Sequence, residues 1–326
     1  MTTRRGLTRG LLAGAAVLTG GRFASATDYP TKQVKVIAPF APGAATDTCA
    51  RIVAQGLSER WNKPVIVENK IGASGTIAAA MVAQSPPDGH TLLLGTIGTC
   101  ATNPLVMANV PYDTLNDFTP ISLFAMVSML VVVHPSLPFQ SIEELVAYAQ
   151  KNPGRLNCGN GGIGSSPHLA SLLLESLAKV RFEQVAYSGV APMIPDLLAN
   201  RVNLSVGDAS TFLPHVRSGA LRALGVTTAT RFEGLQDVPT VAEAGIKGYE
   251  ASAWYGVVGP AKMPADIVAK LSTDIAAVAR QPEVKQRLSP LAAVTVGSTA
   301  PEFATFIRSE YDRWSRLVRE SRIKPS

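Results

Sequence analysis

Strand-like and helix-like segments alternate along almost the whole chain, and this alternation restricts its fold more than any other feature. The strand-like stretch at 33–40 precedes a helix-like stretch at 47–61, in which apolar residues recur on one face. A second strand-like stretch at 64–69, an alanine-rich helix at 76–84 and a third strand at 91–96 follow. Such alternation is typical of βαβ units, so the sequence predicts an α/β fold with mainly parallel sheets.

Two long apolar, strand-like stretches, at 121–135 and 250–260, interrupt this alternation. They predict two lobes joined by two hinge strands, with lobe 1 formed by 27–128 and 251–326 and lobe 2 by 129–250. The alternative is a pair of ordinary buried core strands, because periodicity alone does not separate the two cases.

The first 26 residues are predicted to be an export signal, cleaved near Ala26. Arg4 and Arg5 precede the apolar run LLAGAAVL at 11–18, and ASA at 24–26 has the small-x-small pattern of a cleavage site. TRRGL also resembles a twin-arginine signal, and a disordered basic tail is the alternative. The prediction implies a periplasmic location.

Removal of this segment also changes the charge of the chain. Without its four arginines, the 30 basic residues fall to 26 against 24 acidic ones, so the net charge falls from +6 to about +2. A basic surface for nucleic acid is therefore not expected.

The cysteines and histidines do not form a recognisable pattern. Cys49, Cys100 and Cys158 are odd in number and lack Cys-x-x-Cys spacing, and the four histidines lack metal-ligand spacing. The sequence predicts buried thiols, no metal and no cofactor.

The loop PFAPGAATD at 39–47 joins the first predicted strand to the first helix. The free N–H groups and the dipole at a helix N-terminus attract anions, and small residues let a ligand approach the backbone. The loop contains no Lys or Arg, so neutral amides would hold a carboxylate there. As a helix N-cap, Asp47 would occupy one of those amides itself.

The sequence around this loop resembles the Bug family, the TctC-like receptors of tripartite tricarboxylate transporters. The family motifs Y-P-x-K, V-P-F-x-P-G-G-x-x-D and V-V-E-N-x-x-G-A-x-G have close counterparts within 29–79. Further matching stretches follow in the same order at 86–104, 111–122, 159–170, 237–264 and 301–310. The resemblance implies a two-lobed, type II-like periplasmic-binding-protein fold that closes on a small carboxylate.

The resemblance also implies a set of ligand-binding positions, most of which lie in loops after predicted strands and offer hydroxyl groups or backbone amides to an anion. They are Phe40, Ala41, Pro42, Gly43, Ala44, Ala45, Thr46, Asp47, Thr96, Thr99, Ser165, Ser166, His168, Tyr187 and Asp208. Each has an alternative role that the residues alone leave open. Ser165, Ser166 and His168 could cap the helix that follows, Tyr187 could belong to the core, and Asp208 could stabilise a turn. The charge of Asp208 would repel a carboxylate unless it meets a donor group on the ligand.

Three positions depart from the family pattern. Ala44 replaces a glycine, Cys100 stands where a histidine is frequent, and Ser188 stands where Lys or Arg is usual. The lower positive potential favours a mono- or dicarboxylate, aromatic acids included, over a highly charged ligand such as citrate.

The turn GNGGIG at 159–164 has the G-x-G-x-x-G spacing of a dinucleotide site, with Glu183 19 residues beyond it. Its context argues against an NAD-dependent oxidoreductase, because RLNCG is a short, polar strand and RFEQVAY continues past Glu183. The sequence also lacks the G-x-S-x-G, Walker A and H-E-x-x-H motifs. We expect a non-enzymatic, monomeric receptor that delivers its ligand to a membrane permease. A protein that presents its ligand to a signalling partner is the alternative.

Overall fold

The computed structural model of this 326-residue chain describes residues 29–43, 45–231 and 233–320. The predicted export signal and Ala44 lie outside these described residues.

Six strands form the first sheet, in which parallel and antiparallel pairs are mixed. They are β1 (Val34–Ala38), β2 (Val65–Asn69), β3 (Thr91–Thr96), β4 (Phe118–Val133), β9 (Ser252–Pro260) and β10 (Ala293–Thr295). β1 pairs in parallel with both β2 and β3, whereas β9 runs antiparallel between β3 and β4. Parallel strands covered on both faces need continuous apolar sequence, and β3 (TLLLGT) fits this requirement with five of its six residues buried.

Four shorter strands form the second sheet together with the far end of β4. They are β5 (Asn157–Asn160), β6 (Glu183–Ala186), β7 (Leu204–Asp208) and β8 (Arg222–Val226). β4 pairs with β9 from Phe118 to Ser128, with β7 from Met129 to Val133 and with β8 from Leu130 to Val133. One 16-residue strand therefore runs through both sheets.

Ten α-helices surround these sheets within the described part of the chain. They are α1 (Ala45–Trp61), α2 (Thr76–Ala83), α3 (Asn103–Val106), α4 (Ile142–Lys151), α5 (Ser166–Ala178), α6 (Val190–Leu198), α7 (Ala209–Arg217), α8 (Ala265–Ala279), α9 (Pro282–Leu288) and α10 (Ala300–Glu320). At the start of α4 the Ser141 side chain accepts the Glu144 N–H, and the Glu144 carboxylate accepts the Gln140 N–H, an arrangement close to a capping box.

Two of the predictions made from strand patterns need adjustment. The stretch predicted at 250–260 forms β9, which pairs only within the first sheet, so it is not a second strand shared by both sheets. Both sheets contain antiparallel pairs, because β4 and β9 run against their neighbours. The lobe boundaries at 128/129 and 250/251 stay a prediction.

Three cores hold the layers together: one beneath α1 and α8, one around β7 with α6 and α7, and one that connects α10 to α5. Cys49, Cys100 and Cys158 are free thiols buried in these cores. Burial raises the pKa of each thiol to about 12, so they remain protonated, apolar packing groups.

Candidate functional site

A cavity of about 190 Å³ lies where the carboxyl ends of strands from both sheets meet. Its wall contains residues that follow β1, β3 and β5, and the last residue of β7. Ligands of open α/β folds bind at this end of the strands, because the loops and helix N-termini converge there. The lining residues are Phe40, Thr46, Ser74, Thr96, Ile97, Gly98, Asn103, Gly161, Ile163, Gly164, Ser165, Ser166, Pro167, Gly189, Val190, Asp208, Ala253, Trp254 and Tyr255.

The structure brings six of the predicted positions to this wall, and the other described ones do not line it. The six are Phe40, Thr46, Thr96, Ser165, Ser166 and Asp208. Those that do not line the cavity are Ala41, Pro42, Gly43, Ala45, Asp47, Thr99, His168 and Tyr187. Several of the latter support the wall through hydrogen bonds, and their direct contact with a ligand stays a prediction.

Asp47 lies within the first turn of α1 rather than at its N-cap, because the helix begins two residues earlier at Ala45. Its carboxylate accepts the Gly43 N–H at 3.0 Å, the Arg51 Nε–H at 2.9 Å and an Asn69 Nδ2–H at 2.9 Å. Burial raises the pKa of Asp47, but these hydrogen bonds outweigh it and hold the pKa below its usual value. The Gly43 amide is therefore occupied by an internal carboxylate.

Thr99 supports the end of β3 from behind the cavity wall. Its hydroxyl accepts the Thr96 N–H at 2.9 Å, and the side chain is fully buried. The Thr96 hydroxyl lies 3.4 Å from the Thr99 hydroxyl and belongs to a side chain that does line the cavity. Thr99 therefore fixes the position of Thr96.

Ser165 is both a cavity residue and the N-cap of α5. Its side chain accepts the His168 N–H at 3.4 Å and donates to the Gly162 carbonyl at 2.7 Å. His168 Nδ1 in turn accepts the Gly164 N–H at 3.1 Å. Burial lowers the pKa of His168 to about 4, so the imidazole is neutral and can accept this bond near pH 7. The capping alternative is thus confirmed for Ser165, and His168 fixes the glycine turn.

Tyr187 directly follows β6 and does not line the cavity. Its hydroxyl donates to Asp196 Oδ2 at 2.7 Å, which connects the loop after β6 to α6. Glu183 begins β6, whereas the acidic residue of a dinucleotide fingerprint lies at the end of the second strand. The glycine turn itself, with Gly161 and Gly164, forms part of the cavity wall.

Asp208 is the one carboxyl group on the wall, and no Lys, Arg or His lines the described cavity with it. Within the described residues its carboxylate has neither a hydrogen-bond donor nor a cation as partner. Burial raises the pKa of Asp208 to about 6. Burial, followed by the charge of Asp208, also raises the pKa of Tyr255 on the same wall. The site is therefore neutral to negative, with hydroxyl and amide donors.

Trp254, Tyr255, Ser74, Asn103 and Ile163 line the cavity but were not predicted to do so. Trp254 and Tyr255 lie in the stretch interpreted as a hinge strand, and their adjacent aromatic rings were the available signal. The Trp254 Nε1–H donates to Glu310 Oε2 at 3.0 Å, so a hydrogen bond to α10 fixes the position of the indole ring. The Asn103 side chain donates to the Ser74 carbonyl at 3.1 Å and joins two loops of the wall.

A cavity enclosed by loops from two α/β sheets that share one long strand defines a two-lobed solute-binding protein. Residues 49–323 match the family model described as tripartite tricarboxylate transporter family receptor, TctC. The chain belongs to the TctC family.

One curated relative and three solved structures illustrate this membership. The relative is the UPF0065 protein in the tcbD-tcbE intergenic region of Pseudomonas sp. strain P51, 35% identical over 97% of this chain and 95% of its own length. R. palustris Rpa4515 with adipate is 37% identical, with a TM-score of 0.82, over 92% of this chain and all of that chain.

The other two structures are each 32% identical with a TM-score of 0.78. The periplasmic binding protein BugD covers 91% of this chain, and MatC (Rpa3494) from Rhodopseudomonas palustris with bound malate covers 89%, each over the whole of its own length. The predicted Bug/TctC membership and the two-lobed α/β fold are confirmed.

The described residues contain neither a membrane-spanning helix nor a metal cluster. None of the helices between residues 29 and 320 combines the length and the apolar character that a bilayer crossing needs. In the same part of the chain, no cluster of three or more His, Cys, Asp or Glu side chains could hold a metal ion.

Proposed function

We propose that this chain is a periplasmic receptor that captures a small dicarboxylate between its lobes and delivers it to the membrane subunits of a tripartite tricarboxylate-type transporter. The observation that carries the proposal is the cavity at the strand ends. Its wall combines hydroxyl groups with the N-termini of helices that follow strands of both sheets. Membership of the TctC family supports the transport role. The relatives with bound adipate and malate support a dicarboxylate as the ligand.

Two helix N-termini contribute to the cavity from different sheets. Thr46 lies in the first turn of α1, and Ser165 and Ser166 cap and begin α5. Helix N-termini bind anions through unpaired N–H groups and through the helix dipole, without a charged side chain. We infer that each terminus binds one carboxylate, so that a single ligand bridges the two lobes and stabilises the closed form.

Asp208 restricts which ligands fit between these two termini. An ionised carboxylate on the wall repels a second anion close to it but accepts a hydrogen bond from a hydroxyl group. A hydroxylated dicarboxylate such as malate offers that donor, whereas adipate does not. We infer that ligands with a hydroxyl near their middle bind more tightly than unsubstituted ones.

The proposed receptor acts in the periplasm and releases its ligand to a membrane permease. Export by the segment 1–26 would place the protein in the periplasm, and the relative BugD, a periplasmic binding protein, supports that location. The proposed receptor has no catalytic step and acts as a monomer. Its ligand is released to a permease that supplies the energy for transport.

Isothermal titration calorimetry with malate, adipate, benzoate and citrate tests the binding function. We expect saturable 1:1 binding of at least one dicarboxylate, which Ser166→Trp abolishes because the indole fills the cavity. Ser218→Trp, an exposed serine at the end of α7, is the matched control and keeps the affinity. No binding of any carboxylate, or equal affinity in the two variants, would reject the proposal.

A further inference from the structure

A second cavity, of about 260 Å³, lies outside the site described above. It is bounded by the start of β4, the loop that precedes β4, and α10. Phe118, Val258 and Ile307 give it apolar walls. A single water needs about 10–15 Å³ of such space, so the cavity has room for a small organic molecule.

A buried hydroxyl on the cavity wall lacks a partner. Thr114 is only 5% exposed, and its Oγ1 has no hydrogen-bond partner in the described structure. Buried hydroxyl groups in native proteins nearly always have a partner, from the protein, from water or from a ligand. This unpaired group lines the cavity, which points to a polar group in an occupant.

A cation lies on the same wall. Arg308 is an exposed residue of α10 that lines the cavity, and no described residue forms an ion pair or a hydrogen bond with its side chain. No Asp or Glu lines this cavity in the described structure, so nothing within the wall neutralises the guanidinium. Arg binds carboxylates with two parallel N–H donors, which makes a carboxylate its natural partner.

We propose that this second cavity binds a small amphipathic monocarboxylate, with its apolar body between Phe118, Val258 and Ile307 and its carboxylate on Arg308. The Thr114 hydroxyl bonds a polar atom of the ligand. The chemistry differs from that of the first cavity, where hydroxyl groups and helix N-termini face the ligand and no cation lines the described wall. The proposal therefore does not depend on which ligand the first cavity takes.

The two cavities are neighbours within the fold. Cys100 lines the second cavity, and its Sγ lies 3.6 Å from the hydroxyl of Thr99. Thr99 holds Thr96, which lines the first cavity. A test must therefore separate direct binding at the second cavity from an indirect effect of binding at the first.

Methyl NMR of the full chain, labelled at isoleucine δ1-methyl groups and titrated with benzoate, makes this separation. Ile307 reports on the second cavity, whereas Ile97 and Ile163 report on the first. We expect a saturable shift of the Ile307 methyl signal with an apparent Kd below about 10 mM, the weak end of specific binding. Arg308→Gln should raise that Kd at least about tenfold, since it removes a charge-assisted hydrogen bond.

The matched control is Arg319→Gln, an exposed arginine on the same helix that does not line the cavity. Both arginines are exposed, but Arg319 does not line the cavity, so its replacement should change the Kd less than about twofold. The proposal is overturned if the Ile307 signal does not move, or if Arg308→Gln raises the Kd no more than Arg319→Gln does. An Ile307 shift that follows Ile97 and survives Arg308→Gln would be transmitted from the first cavity and would also overturn it.

Discussion

The carboxylate of Asp47 accepts the backbone N–H of Gly43 at 3.0 Å, so the first turn of α1 is fastened to the loop that precedes it. Gly43 has a φ of +85°, a left-handed conformation that favours glycine. Arg51 and Asn69 donate to the same carboxylate. The Gly43 amide is therefore bonded to an internal carboxylate, which also shapes the loop that contributes Phe40 and Thr46 to the cavity.

Asp47→Ala should lower the free energy of unfolding by about 2–4 kcal/mol, because it leaves three donors around a buried site without an acceptor. Ligand affinity should fall as well, since the loop loses its attachment to α1. Chemical denaturation and calorimetry measure the two effects. Arg51→Gln is the control: the Arg51 side chain is exposed, so the loss should be clearly smaller than that of Asp47→Ala. Equal losses in the two variants would contradict this role of Asp47.

His168 and Asp208 should make the free energy of unfolding depend on pH in opposite directions. The pKa of His168 is lowered to about 4, so the unfolded state binds more protons between pH 4 and 6.5, and stability falls as the pH falls through this range. The pKa of Asp208 is raised to about 6, so the native state binds more protons between pH 4 and 6, and stability falls as the pH rises.

Urea denaturation of variants at pH 4 to 7 tests these signs. Relative to the parent chain, Asp208→Asn should gain stability as the pH rises from 4 to 6, and His168→Gln should gain stability as the pH falls from 6.5 to 4. Asp237→Asn, which makes the same substitution at an exposed position, is the control for the substitution itself. A pH-independent difference for either buried variant would refute the assignment for that residue.

Asp208→Asn should also change ligand selectivity. Without the negative charge, the repulsion of a carboxylate disappears, while the amide can still bond a hydroxyl group. We therefore expect adipate to gain affinity relative to malate by about three- to tenfold, as measured by calorimetry at pH 7.5. Asp237→Asn should leave the ratio of the two affinities unchanged. An unchanged ratio in Asp208→Asn would place Asp208 away from the ligand.

The alternation of strands and helices predicted the fold class because the pattern of apolar residues within each segment indicates which of its faces is buried. TLLLGT has an apolar centre and forms β3, a central strand of the sheet. β9 was harder, because an apolar run does not reveal which sheet it joins or in which direction it runs. Those properties depend on β3 and β4, its partners in the folded sheet.

The cavity could be predicted only in part for a related reason. Loops after strands were identifiable, so Phe40, Thr96, Ser165 and Asp208 were found, but side-chain partners were not. The acceptor role of His168 depends on the Gly164 amide four residues earlier, and that of Thr99 on the Thr96 amide. Trp254 escaped notice because an aromatic residue in an apolar strand is as compatible with a core as with a ligand site.

Trp254 should report ligand binding through its fluorescence. It lines the cavity, whereas Trp61 packs edge-on against Tyr29, with ring centroids 5.6 Å apart, and does not line the cavity. We expect a ligand-dependent change in emission that Trp254→Phe removes and Trp61→Phe retains. Trp254→Phe should cost about 1–2 kcal/mol of stability, because Glu310 loses one of its donors but keeps the Trp314 Nε1–H. A signal that survives Trp254→Phe would mean that binding is sensed elsewhere.

Thr102 and Gly164 should control closure of the two lobes. Thr102 is fully buried near the start of α3, and its Oγ1 lies 3.2 Å from the carbonyl oxygen of Gly164 in the glycine turn before α5. Gly164 has a φ of +78°, and a Cβ there would lie 2.5 Å from Val106 Cγ2, so the turn packs directly on α3. Thr102→Val keeps the volume but removes the donor, and we expect ligand affinity to fall about three- to tenfold through a less stable closed form.

Gly164→Ala should weaken binding more than Thr102→Val, since it combines an unfavourable backbone conformation with a contact that pushes the turn away from α3. Gly219→Ala is the control, because Gly219 has a similar φ of +75° but open space around its Cβ position. It should cost about 1 kcal/mol of stability and leave affinity unchanged. Calorimetry gives the affinities, and small-angle scattering with saturating ligand should show a larger radius of gyration for Gly164→Ala than for Gly219→Ala. Equal affinities and radii would show that the contact between the turn and α3 does not control closure.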